Sequence, residues 1–377
     1  PVLTCTDGGA ELVYEVQERW YLFPVPIFSL ADRNFSAWLD KMDFRRIDYG
    51  LHLVQYNMRG RNETFKTNLQ YGFNRKYEIF YTFPYISRRQ KLGLSLGGSV
   101  YQSHFIDYKT VNDTLATFRD DDHFPIQRYY GVVTLLKREN VQKQVSAGLS
   151  FHYQSITDTV LDLNPNYFLY GKRRRFIQVE LVRTLNFRNS FAYPLSGYFL
   201  QFGLVQQLFF NSTGNANTTA RVTYSRYHTL PHHFYYSYSL EGQARLTNKI
   251  AYADNQALGY KSFVRGYQLY VVDGQYYGLF KQGFSKRVLN IPEIYIKFLP
   301  SEKFRRIPLA VYANVFADGA YVADRFYEES NDLSNHVLFG TGAGLHFVTY
   351  YDRVLTVEYA INREGEGRVF IQTKFPF

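Results

Sequence analysis

Alternation of apolar and polar residues over about ten positions, repeated many times, is the feature that most constrains this chain. Between Tyr235 and Leu246 one face carries Tyr236, Tyr238, Leu240, Gly242, Ala244 and Leu246, and the other Tyr235, Ser237, Ser239, Glu241, Gln243 and Arg245. Gln144 to Tyr153 repeats the scheme, as do Ile177, Val179 and Leu181 against Gln178 and Glu180. It recurs in Leu355, Val357, Tyr359 and Ile361 against Thr356, Glu358 and Asn362. A strand sends successive side chains to opposite sides, so one face of each segment suits lipid and the other a wet interior.

A soluble β-sandwich also alternates. Three features weigh against it: the strands are long, no linker or composition shift divides the 377 residues into sandwich-sized units, and the apolar face is rich in Tyr, Leu and Gly throughout. Thirty-five Tyr and thirty-three Phe against two Trp suit surfaces half in lipid and half in water. No run of about 18 apolar residues provides a membrane helix. Only a closed sheet then satisfies every backbone group in lipid. The expected fold is all-β, a 16-stranded antiparallel transmembrane β-barrel over residues 20–377.

Candidate strands fall at 20–32, 48–58, 64–73, 76–87, 91–103, 126–137, 142–154, 174–185, 197–209, 218–229, 233–246, 275–289, 307–321, 336–350, 353–362 and 367–377. Short connections such as Arg59–Asn62 alternate with long ones at 104–125, 155–173, 247–274 and 322–335. That asymmetry predicts an outer-membrane barrel of a Gram-negative bacterium, with periplasmic turns and external loops.

The last strand ends on Phe375 and Phe377, an aromatic ending of the kind read by outer-membrane assembly machinery. In the first strand, Pro24 and Pro26 delete two N–H donors from one edge. Two readings stand: a weakened seam against the last strand, or a periplasmic lead-in below the membrane. The single Cys5 excludes an internal disulfide, and its surroundings match a lipidation site poorly. A formal charge of +10 favours phosphate-bearing lipid head groups and lipopolysaccharide, not nucleic acid.

The segment from Thr247 to Gly274 is too long for a hairpin and centres on Ser262-Phe263-Val264-Arg265-Gly266-Tyr267. Such a loop suits folding back into an interior. Val264-Arg265-Gly266-Tyr267 after the eleventh strand, with Phe316-Ala317-Asp318-Gly319 in the thirteenth, resembles the BamA/TamA superfamily of outer-membrane assembly and secretion barrels. Thr82-Phe83-Pro84-Tyr85 and Gly340-Thr341-Gly342-Ala343-Gly344-Leu345 add to the resemblance, which spans about Glu11 to Phe377. It implies that Arg265, on the sixth external loop, contacts Asp318 on the inner wall; a solvated Arg265 is the alternative. The family often supplies a second carboxylate from the twelfth strand. Here that strand reads Phe280-Lys281-Gln282-Gly283-Phe284, so the expected lock is thinner or closed by other partners.

The resemblance also implies periplasmic POTRA modules that receive clients. Within residues 1–19, only Glu11–Arg19 reads as the end of such a module or a lead-in. Lys172-Arg173-Arg174-Arg175, where an external loop meets the eighth strand, is assigned to lipopolysaccharide phosphates, with a solvated charge run as the alternative. No metal, cofactor or catalysed reaction is expected. The implied function is insertion or translocation of client outer-membrane or secreted proteins through a seam between first and last strands. Periplasmic or lipoprotein subunits are expected partners. A two-partner-type secretion pore and a non-catalytic scaffold are the alternatives.

Overall fold

The computed structural model describes residues 2–6, 9–13, 20–30, 47–210, 216–295, 306–326, 331–349 and 353–373. Among the described residues, β1 (Val2–Thr6) and β2 (Gly9–Val13) pair only with each other. The large sheet begins with β3 (Leu22–Leu30), β4 (Ile47–Met58), β5 (Glu63–Gly72), β6 (Asn74–Phe83) and β7 (Leu92–Ser103). A separate hairpin, β8 (Phe105–Val111) with β9 (Thr114–Arg119), follows. The sheet resumes with β10 (Ile126–Arg138) and β11 (Lys143–Ile156), then helix α1 (Asp158–Leu163) intervenes. Next come β12 (Arg173–Asn186), β13 (Gly197–Phe209), β14 (Ala216–Leu230) and β15 (Phe234–Leu246). Two short strands, β16 (Gln256–Leu258) and β17 (Val272–Asp273), pair within the next connection. The sheet then finishes with β18 (Tyr276–Tyr295), β19 (Arg306–Ala323), β20 (Val337–Thr349), β21 (Arg353–Asn362) and β22 (Gly367–Gln372).

Sixteen strands form this one antiparallel sheet, with β3 and β22 at its edges. Each expected segment overlies one of them. The alternation is visible in burial: on β21, Leu355, Tyr359 and Ile361 are exposed while Thr356, Glu358, Ala360 and Asn362 are buried. Exposed apolar and buried polar side chains invert a soluble protein, as lipid outside and a filled interior require.

Two regions depart from the expected outline. The β18–β19 hairpin continues past the pairing of β15 with β18, which covers only Phe234–Ala244, and it bulges between Arg287 and Leu289 and between Ile291 and Ile294. The long connections at 104–125 and 155–173 are not bare loops, since they hold β8–β9 and α1. Their apolar side chains make a core of their own: Ile106, Ile126, Ile156, Val160, Tyr167 and Phe168 pack with Tyr252 from the 247–275 connection. A cap therefore lies over the long-loop end.

Carboxylates fasten this cap. Asp273 accepts hydrogen bonds from Thr110 Oγ1 (2.5 Å) and Tyr260 Oη (2.9 Å), and its carbonyl accepts from Ser334 Oγ (2.9 Å). The Asp113 carboxylate accepts from the Leu333 N–H (3.0 Å), and its carbonyl from Val271 N–H (2.8 Å). The tip of the β8–β9 hairpin is thus tied to both the 247–275 and the 324–336 connections. Burial pushes the Asp273 carboxyl up to about 7 against the opposing Thr110 and Tyr260 hydrogen bonds, with Asp324 and Asp113 adding to the rise. Burial also pushes Asp113 up to about 6.

The sign of the pH dependence follows. A carboxyl raised in the closed cap holds its proton more tightly there than in the open one, so closure is favoured as pH falls through 7 and 6. Amide exchange in 105–119 and 331–336, corrected for intrinsic rates, should slow between pH 8 and 5.5, by up to about tenfold per unit where Asp273 titrates. Asp273→Asn should flatten that dependence. A cap that loosens as pH falls would contradict the assignment.

Candidate functional site

An arginine is the hardest side chain to bury, because its guanidinium carries five donors and does not deprotonate. Arg265 is nevertheless fully buried, at 0% exposure. Its N–H groups converge on fixed acceptors. Nη2 donates to Asp318 Oδ1 (2.6 Å) and Nε to Asp318 Oδ2 (2.8 Å), a two-pronged contact, and the Arg265 backbone N–H donates to the same Oδ2 (3.1 Å). Nη2 also reaches the Gln282 carbonyl (3.1 Å), and the guanidinium lies 3.8 Å from the centre of the Phe316 ring. Asp318 and Phe316 project inward from β19, so one strand supplies both the carboxylate and the ring.

A second carboxylate closes the site from another direction. Arg265 Nη1 donates to Glu358 Oε1 on β21 (3.3 Å), which also lies 3.2 Å from His346 Nε2 on β20. His346 Nδ1 in turn meets Tyr193 Oη (3.0 Å), and Tyr193 belongs to the 187–196 turn at the opposite end of the barrel. Of the two readings left by the twelfth strand, a thinner lock or one closed by other partners, the second describes the site. Its second acid has moved to the fifteenth strand, β21. The twelfth, β18, supplies Lys281 directly opposite Asp318 in register, with its Nζ 4.7 Å from the Phe263 ring. Arg265 and Lys281 thus lie close to Asp318 and Glu358.

The backbone explains the glycines. Gly266 has φ +100°, and a Cβ there would lie 3.2 Å from Asn362 N, so both conformation and wall contact exclude a side chain. On the wall, a Cβ at Gly340 would come within 1.8 Å of the Arg265 carbonyl. Val264 and Tyr267 pack into a core with Leu258, Leu279, Val322 and Leu338. Tyr267 Oη donates to Glu364 and Tyr270 Oη to Glu366 (2.6 Å), which attaches the loop to the turn between β21 and β22. Burial, with Glu366 adding to it, pushes the Tyr270 hydroxyl up to about 12.

Other expected residues lie elsewhere. Gly319 follows Asp318 and points outward by alternation; a Cβ there would meet nothing closer than 3.9 Å. Arg174 does not face lipopolysaccharide. It is buried, pairs with Asp254 (2.5 Å), donates from Nε to Gln154 Oε1 (2.7 Å) and stacks 4.3 Å from the Phe168 ring. A strand cannot present consecutive side chains on one face, so the basic run divides: Arg173 and Arg175 point outward and Arg174 inward. Lys172 pairs with Asp158 (2.8 Å).

Pro24 and Pro26 lie inside the β3–β4 ladder, opposite Leu53 and Leu51. Tyr56 N–H donates to the Tyr21 carbonyl, so odd-numbered residues of β3 form the hydrogen-bonded pairs with β4. The backbone nitrogens of residues 24 and 26 therefore point away from β4, toward the edge of the sheet. Among the described residues no ladder joins β3 to β22. Phe375 and Phe377 lie outside the described residues.

A sixteen-stranded sheet with lipid-facing apolar residues and an inward loop held by Arg265 defines a barrel of the outer-membrane class. The Omp85 superfamily domain matches residues 57–350, and the chain belongs to that family. It is similar in structure to BamA from Haemophilus ducreyi lacking POTRA domains 1–3, at TM-score 0.62 and 13% identity over 94% of this chain and 68% of that one. CdiB from Escherichia coli gives 0.58 at 12% identity over 97% of this chain and 64% of that one. CdiB from Acinetobacter baumannii gives 0.50 at 12% identity over 93% and 58%. No curated protein sequence matches at a significant level. The chain is a protein of the Gram-negative outer membrane.

Removing one partner of a buried ion pair leaves a desolvated charge, which costs about 3–5 kcal/mol. Arg265→Ala should therefore release residues 259–270 to protease and to fast amide exchange. Asp318→Asn should weaken the loop more than Glu358→Gln, because Asp318 makes three of the contacts to Arg265 and Glu358 one. Unchanged loop protection in Arg265→Ala would contradict the lock.

Proposed function

We propose that this barrel assists the insertion of other β-barrel proteins into the outer membrane through the seam between β3 and β22. The observation that carries the reading is the pair of missing donors, Pro24 and Pro26, on the edge of β3 that faces away from β4. A ladder between β3 and β22 leaves two acceptors of β22 without N–H partners. Each unmade hydrogen bond costs about 1 kcal/mol or more, and more where no water reaches the edge. A client strand with an N–H at every position satisfies the β22 edge better than β3 does, so exchange of one for the other is downhill.

The 247–275 loop acts in this reading as a holder. Through Arg265 it grips β19 and β21, and through Tyr267 and Tyr270 it grips the turn that leads into β22. Loop and Tyr193 occupy the interior from opposite ends. That occupancy favours insertion at the seam over passage through the lumen, the route a two-partner-type secretion pore requires. Outer-membrane lipids, client proteins and a periplasmic partner belong to the same proposal, as does reading residues 1–19 as the lead-in from a POTRA module.

The test is client folding in liposomes. The full chain should accelerate folding of a urea-denatured eight-stranded barrel, read by its heat-modifiable migration. Pro24→Thr with Pro26→Thr, which restores both donors, should slow it several-fold while leaving the variant itself folded. Acceleration no greater than with empty liposomes, or equal for variant and wild type, would sink the seam mechanism. Steady conductance in a planar bilayer without client would favour the pore.

A further inference from the structure

Two adjoining hollows lie on the outward face of β6, β7, β10, β11 and β12 toward the external rim, and neither has a role in the seam or the Arg265 site. The upper is a cavity of about 710 Å³ lined by Gln127, Tyr129, Tyr153, Thr157, Lys172 and Arg173, among others. The lower is a groove of about 460 Å³ lined by Tyr77, Ile79, Val100 and Phe151, with Gly98 and Gly131 as its floor. Tyr129 and Tyr153 line both, so the two hollows are continuous.

The groove exists because of register. Gly98 on β7 stands directly opposite Gly131 on β10, which removes two neighbouring side chains from a wall that is otherwise Tyr, Phe, Val and Ile. Packing does not require the second glycine: a Cβ at Gly131 would meet nothing nearer than 4.0 Å. What remains is a slot with an apolar lining on the lipid side of a membrane barrel.

The cavity above has the opposite chemistry. Alternation turns Arg173 and Arg175 outward together, with the Arg175 guanidinium 5.6 Å from the centre of the Tyr153 ring. Thr157 lines the cavity, with its Oγ1 buried behind the surface. Asp158 also lines it, but Lys172 pairs with both its oxygens (2.8 and 2.9 Å). At the other end of β12, the outward Arg183 is held by Glu139 in a two-pronged ion pair. The Arg173 and Arg175 pair thus lies at the external rim, directly over an aromatic belt and an acyl-sized slot.

We propose that this surface binds one phosphorylated, multiply acylated lipid of the outer leaflet, of the lipopolysaccharide type. Its phosphates would sit among Arg173, Arg175 and Lys172, its sugar on Tyr129 and Tyr153, and one acyl chain along Gly98 and Gly131. Guanidinium groups match phosphate oxygens in geometry as well as charge. A protein partner would not require an apolar slot that opens to lipid below the basic cluster. The site is independent of the seam mechanism and stands or falls without it.

The test uses the full chain in detergent, with lipid retention read by native mass spectrometry. Diphosphoryl lipid A should be retained in preference to monophosphoryl lipid A and to phosphatidylglycerol. With about 1 kcal/mol for each cation near a phosphate surface, Arg173→Ala with Arg175→Ala should weaken retention by about 30-fold. Gly131→Leu fills the slot without touching the charges and should weaken it several-fold. Arg183→Ala, at the periplasmic rim, should leave it unchanged. Heat-modifiable migration checks that each variant is folded. Equal retention of the three lipids, or unchanged retention in either the arginine or the glycine variant, would overturn the site, as would loss of equal size in Arg183→Ala.

Discussion

The guanidinium of Arg265 is the constraint around which the interior is arranged. Removing it from water is tolerable only if the surrounding groups replace its hydration, and they must do so from fixed positions. Asp318 provides two oxygens in the plane of the guanidinium, Phe316 covers its face, and Glu358 and the Gln282 carbonyl take remaining donors. These groups come from β18, β19 and β21, so the arginine fixes three strands relative to the loop that carries it. The glycines at 266 and 340 follow from the same requirement, since the loop backbone must touch the wall for the side chain to reach its partners.

From that point the contacts run in two directions. Toward the external end, Tyr267 and Tyr270 carry the loop to Glu364 and Glu366, and Asp273 carries it to the β8–β9 hairpin. Toward the other end, Glu358 leads to His346 and then to Tyr193, which sits among Tyr312 and Val354. A loop and a turn from opposite ends of the barrel therefore share one run of hydrogen bonds. An ion pair that is expensive to break holds the centre of that run, with neutral or solvent-near bonds at its extremities.

The strands were legible because two solvents impose a period of two on every one of them, and nothing tertiary can override that period in lipid. The Arg265–Asp318 contact was legible only through the family resemblance. Glu358 faced inward in the alternation, yet which inward acid meets the arginine depends on reach across the interior, which no local pattern encodes. Tyr193 was hidden for the same reason, in a turn that reads as solvent-exposed. Two misses did have local signals. The split of Arg173, Arg174 and Arg175 follows from the same alternation that located β12. The β8–β9 hairpin turns at Asn112 and Asp113, both at positive φ (49° and 58°), a pairing suited to a tight hairpin turn.

The proposed seam has unequal sides, and the inequality says which of them moves. β22 leads from a turn held by Tyr267 and Tyr270, and its neighbour β21 contributes Glu358 to the arginine site. Displacing that side would disturb a buried ion pair. β3 is hydrogen-bonded, among the described residues, to β4 alone, and its outer edge lacks two donors. Exchange at the seam therefore costs least when β3 swings away with β4 and β22 stays in place as the template. In the proposed mechanism the buried arginine and the two prolines would serve one division of labour, in which one edge is fixed so that the other can be given up.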